Sequence, residues 1–305
     1  MTKPIVAVIG ATGSQGGSVA RALLQTGEYS VRAITRNTNS EQAKLLASLG
    51  AEVVKGDASS LDEMKQCFAG AYAVYAVTNT YDPNNQKVGE ELRQGKNMAN
   101  AALNNGVQHF IWSTLVNSEQ VSEGKFKVDE FDDKHQVEEY VKEIGLPATF
   151  VDVAFYYENI AGDTSFQVLK KEGDTVYISY FIEPDVKIPM LAVSVDLGKA
   201  VVEIISNRNK YLGKTIPLIG KGYTFNEYAE IATKVTGIKH EYRYIPPQSI
   251  PPESPVNPVL FEFFNWMFSQ QRQPYESNKE LGIEWVLLED YLRSIGYGKR
   301  NNLHI

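Results

Sequence analysis

Cysteine is all but missing from this sequence. Cys67 is the single one in 305 residues, so no internal disulfide can form, and a reducing compartment is expected. Long apolar runs are missing too, since none reaches the roughly 20 residues that a membrane-spanning helix needs. Met-Thr-Lys-Pro passes straight into strand-like sequence, which leaves no room for a signal or transit peptide. A cytoplasmic protein, with access to the nucleus, is the expectation. Basic charge is in deficit: 30 Lys and Arg against 37 Asp and Glu give a net charge of −7, which speaks against a broad nucleic-acid footprint. There is no internal repeat and no low-complexity tract. What remains, 43% hydrophobic and 22% charged, is the usage of an ordinary globular chain that folds without metal or disulfide staples, and no metal is expected.

The most informative stretch is Ile5 to Gly16, where the apolar run Ile5-Val6-Ala7-Val8-Ile9 breaks into Gly10-Ala11-Thr12-Gly13-Ser14-Gln15-Gly16. The run reads as a buried parallel strand, and the residues from Gln15 to Leu24 carry apolar side chains at helical spacing. Gly10 permits a tight turn. A side chain at Gly13 would hold a pyrophosphate away from the backbone, and one at Gly16 would hold the helix away from the strand. The helix N-terminus then presents free N–H groups and a positive dipole end, so the turn is suited to the phosphates of a dinucleotide. A plain strand-to-helix turn is the competing reading, and the strand before and helix after the glycines weigh against it.

The end of the second strand bears on which dinucleotide. An NAD-selective site places Asp or Glu about 20 residues beyond the glycines, where it accepts from the ribose 2′-OH. Val31-Arg32-Ala33-Ile34-Thr35-Arg36-Asn37 has no acid there, and Arg36 stands where a 2′-phosphate would lie. A guanidinium fork suits a phosphate, with Thr35 and Asn37 as neutral neighbours, so NADP(H) is favoured over NAD.

Helix patterns near Ser40–Leu49, Leu61–Phe68 and Asn84–Asn105 alternate with strand patterns at Glu52–Lys55, Ala73–Val77, His109–Ser113 and Ala148–Val153. That order predicts right-handed crossovers and an α/β, Rossmann-type doubly wound parallel sheet. Ligands of such sheets lie at the carboxyl ends of the strands, which selects Asp57 and Ala58, Thr78, Asn79 and Thr80, and Ser113 with Thr114. After Val153 the regular alternation stops: Gly173-Asp174 reads as a turn, Pro184 and Pro189 as punctuation, and Ile245–Pro258 as a stiff connector. Thr224-Phe225-Asn226-Glu227 is a capping box, and Phe261–Phe268 an apolar helical face. The expected division is residues 1–153, with 190–219 added, as the dinucleotide-binding domain. Residues 154–189 and 220–305 then form a smaller C-terminal α/β domain.

Gly10 to Ala20, Val31–Asn37, Gly50 to Asp57, Phe131-Asp132-Asp133-Lys134, Val137-Glu138-Glu139-Tyr140 and Tyr156-Tyr157-Glu158-Asn159 together resemble the NmrA-like family, an atypical branch of the short-chain dehydrogenases. Within it the chain resembles the HSCARG-type NADPH sensors. The resemblance implies dinucleotide contacts at Gly10 to Gln15, Arg36, Asp57 and Ala58, Thr78 to Thr80, Lys134, and Tyr156, Tyr157, Glu158 and Asn159. The segment Asn37-Thr38-Asn39-Ser40 lacks the second basic side chain of some relatives, so the 2′-phosphate would rest on Arg36.

Short-chain dehydrogenases use Tyr-x-x-x-Lys, and here Glu130 stands four residues before Lys134. A carboxylate does not replace that phenol at neutral pH unless its pKa is raised greatly. His135 reads as an exposed helical residue. Two functions follow. One is an NADP(H)-binding redox sensor acting through regulatory protein partners, with a homodimer as one form and no direct contact with nucleic acid or membrane. The other is an NADPH-dependent reductase of a quinone or aryl carbonyl using Lys134, since related reductases work with a lysine alone.

Overall fold

The computed structural model describes residues 2–80, 89–161, 169–251, 257–270 and 278–298. The chain divides into two compact units. Met1–Asn117, Asp129–Val153 and Ser194–Leu218 form the first, and Ser118–Val128, Ala154–Val193 and Ile219–Ile305 the second.

The first unit is built on β1 (Ile5–Ile9), α1 (Ser14–Thr26), β2 (Ser30–Thr35), α2 (Glu41–Ser48), β3 (Glu52–Lys55), α3 (Leu61–Cys67), β4 (Ala71–Ala76), α4 (Glu90–Asn104), β5 (His109–Thr114), α5 (Asp129–Glu143) and β6 (Ala148–Val153). These strands and Thr215–Leu218 form one seven-stranded sheet in the order Thr215–Leu218, β6, β5, β4, β1, β2, β3. Every pairing in it is parallel. The strand order reverses between β1 and β4, and the carboxyl ends of these strands are where sheets of this kind bind their ligands. Both sheet faces are covered, which is why β5 (His-Phe-Ile-Trp-Ser-Thr) is buried at all six positions and shows no polar alternation.

Local sequence fixes the ends of these elements. Ser40 and Ser60 cap α2 and α3 by accepting from the N–H groups of Ala43 and Glu63. Arg32 leaves β2 sideways, pairs with Glu52 at 2.8 Å, and donates to the carbonyls of Cys67 and Ala69 at 2.9 and 2.8 Å, where a cation suits the C-terminus of α3. The helix expected from residue 84 begins at Glu90, behind Gly89 in a left-handed conformation; 84–88 lie outside the described residues. On α4, a Cβ at Gly95 would collide with the Val137 side chain of α5, so glycine lets these two helices approach closely.

In the second unit, the expected turn at Gly173 joins Leu169–Glu172 to Thr175–Tyr180, and Lys239–Tyr244 pairs parallel to the latter. Ile188–Leu191 is a strand between Lys221–Tyr223 and Phe155–Tyr156, with Pro189 inside it rather than ending it. Thr224 and Glu227 make the complete capping box of the helix Phe225–Thr236, and Pro258–Ser269 carries the aromatic face. Tyr180 stacks on Phe225 at 5.2 Å between ring centroids and meets Phe261 edge-on at 5.3 Å.

One buried group of the first unit gives an acid-sensitivity prediction. Thr149 donates its hydroxyl to the Tyr211 carbonyl, so His109 Nε2, 2.8 Å from Thr149 Oγ1, carries the proton it donates to that hydroxyl oxygen, and Nδ1 is buried without a partner among the described residues. Burial, assisted by the charge of Arg208, pushes the His109 pKa down to about 4. The unfolded chain therefore binds the extra proton first. The contribution is full above about pH 6.5 and is lost as the pH falls toward 4, by up to about 3 kcal/mol. Denaturant midpoints of wild type and His109→Gln measured between pH 7.5 and 4.5 should converge as the pH falls; parallel curves would remove His109 as the cause.

Candidate functional site

The turn after β1 has the geometry its glycines imply. Gly10 has φ of +62°, a left-handed conformation that a side chain would strain, and its carbonyl accepts the N–H of Gly13 at 2.9 Å. At Gly16 a Cβ would lie 2.5 Å from the carbonyl oxygen of Ile9 and nearer still to that of Gly10, so only glycine lets α1 start against the end of β1. Gly13, the N-cap of α1, is extended and makes no side-chain cap, and the first turn of the helix carries no acid. These features suit a pyrophosphate: a helix that starts against the end of β1 as only glycine allows, and a positive helix end without a side-chain cap.

Neighbouring side chains stiffen the turn. The Ala11 N–H donates to the Ile34 carbonyl at 3.2 Å, and the Thr12 and Thr35 hydroxyls are 3.2 Å apart, which ties the glycine turn to the end of β2. Tyr75, fully buried on β4, donates its hydroxyl to Gln15 Oε1. Ser14 is exposed at the start of the helix. Arg36 is exposed at the carboxyl end of β2. Asn37 beside it accepts the N–H of Asn39 at 3.0 Å, so part of its side chain is committed to the turn.

The β3 and β4 loops border the same edge. Asp57 Oδ1 accepts the N–H of Ser59 at 2.8 Å, and the Ala58 carbonyl accepts from Asn97 at 2.9 Å. Asn79 is exposed, whereas Thr78 is buried and Thr80 half-buried. Lys134 lies on α5 and is only 8% exposed. Its ammonium pairs with Glu91, donates to Thr78 Oγ1 at 2.8 Å, and reaches the Thr78 carbonyl at 3.3 Å. Thr78 and Thr80 also donate to Glu91 Oε1, at 2.5 and 3.2 Å. An ammonium has three protons, and all three here face protein acceptors. Burial, with the negative charge of Glu91, raises the pKa of neighbouring Asp133.

Glu91 is the functional candidate that sequence reasoning missed. In the sequence it lies inside the helix pattern expected from residue 84 with nothing to set it apart, and only the packing of α4 on α5 brings it to Lys134. His135 is half-buried and faces Glu139 at 3.9 Å along its own helix, while Ser113 and Thr114 are buried in the sheet. Tyr156, Tyr157, Glu158 and Asn159 belong to the second unit. The Tyr157 ring is fully buried there, 6.0 Å from Tyr223 and 5.5 Å from Tyr291, and Glu158 accepts the N–H of Val193. Tyr156 and Asn159 are half-buried. Among the described residues no helix is long and apolar enough to cross a membrane.

Known proteins resemble this chain along nearly its whole length. An NmrA-like family domain-containing protein of Dictyostelium discoideum is 30% identical over 97% of this chain and 99% of its own. The NmrA-like family domain-containing oxidoreductase FrzB of a Cladobotryum species is 32% identical over 80% and 76%. The solved structure of NmrA, a negative transcriptional regulator, in complex with NADP shares the fold with a TM-score of 0.81 at 22% identity, covering 99% of this chain and 98% of that one. The family model for NmrA-like proteins matches residues 2–290, and the chain belongs to the NmrA-like family.

Proposed function

We propose that this protein binds NADP(H) at the carboxyl ends of β1, β2 and β4 and serves as a redox-sensing regulator that acts through a protein partner, leaving the nicotinamide chemically unchanged. The observation that carries the second half of this reading is the state of Lys134. With Glu130 where a catalytic tyrosine would stand, Lys134 is the remaining candidate for proton transfer, and its three protons are directed at Glu91 and Thr78. The first half rests on Gly10, Gly13 and Gly16 as a pyrophosphate cradle, and the NADP complex of NmrA supports it.

When bound, the nicotinamide would supply hydride-transfer capacity; the chain's own residues bind and orient it. The α1 N-terminus and glycine backbone take the pyrophosphate, Arg36 takes the 2′-phosphate, and Asp57 with Ala58 borders the adenosine half. Occupancy can signal only through differential affinity for two shapes of the protein, and a partner that prefers one of them reads the NADP(H) level.

Fluorescence titration with NADPH, NADP and NADH, with a quinone panel run on the same sample, tests both halves. Saturable binding that favours the phosphorylated dinucleotides, with no quinone-dependent loss of NADPH, is expected. Added NADPH should also slow hydrogen exchange within residues 78–85, 115–127 and 156–159, of which 81–85 lie outside the described residues. Steady NADPH consumption that disappears in Lys134→Ala would establish the second reading, an NADPH-dependent quinone or aryl-carbonyl reductase, which the oxidoreductase name of the Cladobotryum relative favours.

A further inference from the structure

The first turns of α4 touch both loops that border the ligand edge. On one side Arg93 donates to the Ser59 carbonyl at 2.8 Å, Gln94 to Ser59 Oγ at 3.2 Å and Asn97 to the Ala58 carbonyl at 2.9 Å. On the other, Glu91 collects Lys134, Thr78 and Thr80 on a single carboxylate oxygen. Gly95 sets this up: one turn beyond Glu91, it lets α4 close onto Val137, itself three residues beyond Lys134.

We infer that Glu91 is a positioning residue for the half of the dinucleotide that lies over β4, acting through Lys134 and the Thr78 and Thr80 hydroxyls. The inference rests on the NADP(H) reading. On that reading a dinucleotide would straddle the reversal of strand order, and with its 2′-phosphate half at the end of β2 its other half would pass over the end of β4. That is where Thr78 and Lys134 stand. A ligand hydroxyl can replace the Thr78 carbonyl, the longest of the lysine's contacts at 3.3 Å, while the ion pair persists. Leaving the carboxylate instead would strand a buried charge, which is strongly disfavoured. Glu91 therefore keeps the ammonium at the strand end and aims its one exchangeable proton. Stability alone does not call for such a cluster, because a buried ion pair is commonly no better than a well-packed apolar pair.

The test compares NADPH with adenosine 2′,5′-bisphosphate, which lacks the nicotinamide half. Glu91→Gln is expected to weaken NADPH by about ten-fold or more, the effect of losing a hydrogen bond to a charged group, while the bisphosphate stays within about two-fold of wild type. Both ligands weakening together, or neither, overturns the positioning role. If circular dichroism shows that Glu91→Gln does not fold, Thr80→Val carries the test. It removes one donor to Glu91 and leaves the ion pair, and should weaken NADPH alone by about three-fold; an unchanged ratio of the two affinities overturns the role equally. Wild-type protein that binds neither ligand overturns the NADP(H) reading, and this inference with it. Wild type that binds both, with variants of unchanged ratio, overturns only the role of Glu91.

Discussion

Gly16→Val is expected to remove both dinucleotide binding and much of the stability of the first unit, whereas Gly13→Val should remove binding and leave the fold. The two glycines sit three residues apart in one turn and differ in what a side chain would meet. At Gly16 a Cβ comes to 2.5 Å of the Ile9 carbonyl oxygen, and both oxygens in its way are backbone atoms of β1 and the glycine turn. Neither can rotate aside, so α1 would have to lift away from the sheet. Overpacking in a close-packed interior costs about 1–3 kcal/mol, and obstruction by backbone puts Gly16→Val at or above the upper end. At Gly13 the nearest atom is the Gly10 carbonyl oxygen at 3.3 Å, and the extended backbone there accepts a side chain. That side chain would stand over the start of α1, where the pyrophosphate needs the backbone. Thermal unfolding together with NADPH titration separates the cases. Tight binding by Gly13→Val would refute the pyrophosphate assignment, and a wild-type melting temperature for Gly16→Val would refute the packing argument.

The glycine turn was legible in the sequence because its physics is local. The strand is a continuous apolar run, the helix has its own periodicity, and each glycine has a separate steric reason. The sheet was legible for the same reason: Glu52–Lys55 and Ala148–Val153 are strands with the expected limits, and β2 and β5 differ only at their ends. The central part of the Lys134 environment was not legible. Glu90 and Glu91 are neighbours with the same side chain, yet Glu90 pairs with Arg93 at the surface and Glu91 is 5% exposed against Lys134. Only the crossing of α4 and α5 decides between them. Tyr157 shows the converse, since a family motif cannot say which of two adjacent tyrosines faces the core, and the ring against Tyr223 and Tyr291 is buried. In the second unit, Lys239–Tyr244 joins Thr175–Tyr180 across more than 60 residues of chain, a pairing for which neither segment carries a local signal. Pro189 reads as a breaker but lies in a three-residue antiparallel pairing, opposite Gly222.

Arg36→Glu is expected to weaken NADPH by about 2–5 kcal/mol, the range for truncating one partner of a hydrogen-bonded charge pair, which is roughly 30-fold or more in Kd. NADH should change little or improve, because a carboxylate at the end of β2 can accept from a ribose 2′-OH. Position singles out this arginine. Arg36 follows Thr35, whose hydroxyl is linked to Thr12 of the glycine turn, so a pyrophosphate on that turn places its adenosine ribose toward this strand end. Asn37 and Ser40 are engaged in their own turn and helix cap, and no second basic residue lies between Arg36 and α2. Arg32 is the informative comparison, since it lies on the same strand and its guanidinium is already held by Glu52 and the carbonyls of Cys67 and Ala69. Arg32→Glu should therefore lower the melting temperature without changing the ratio of NADPH to NADH affinity. Arg36→Glu, at an exposed side chain, should change that ratio. Equal losses for the two dinucleotides in Arg36→Glu would show that this arginine serves structure, and would leave the 2′-phosphate without a partner at the end of β2.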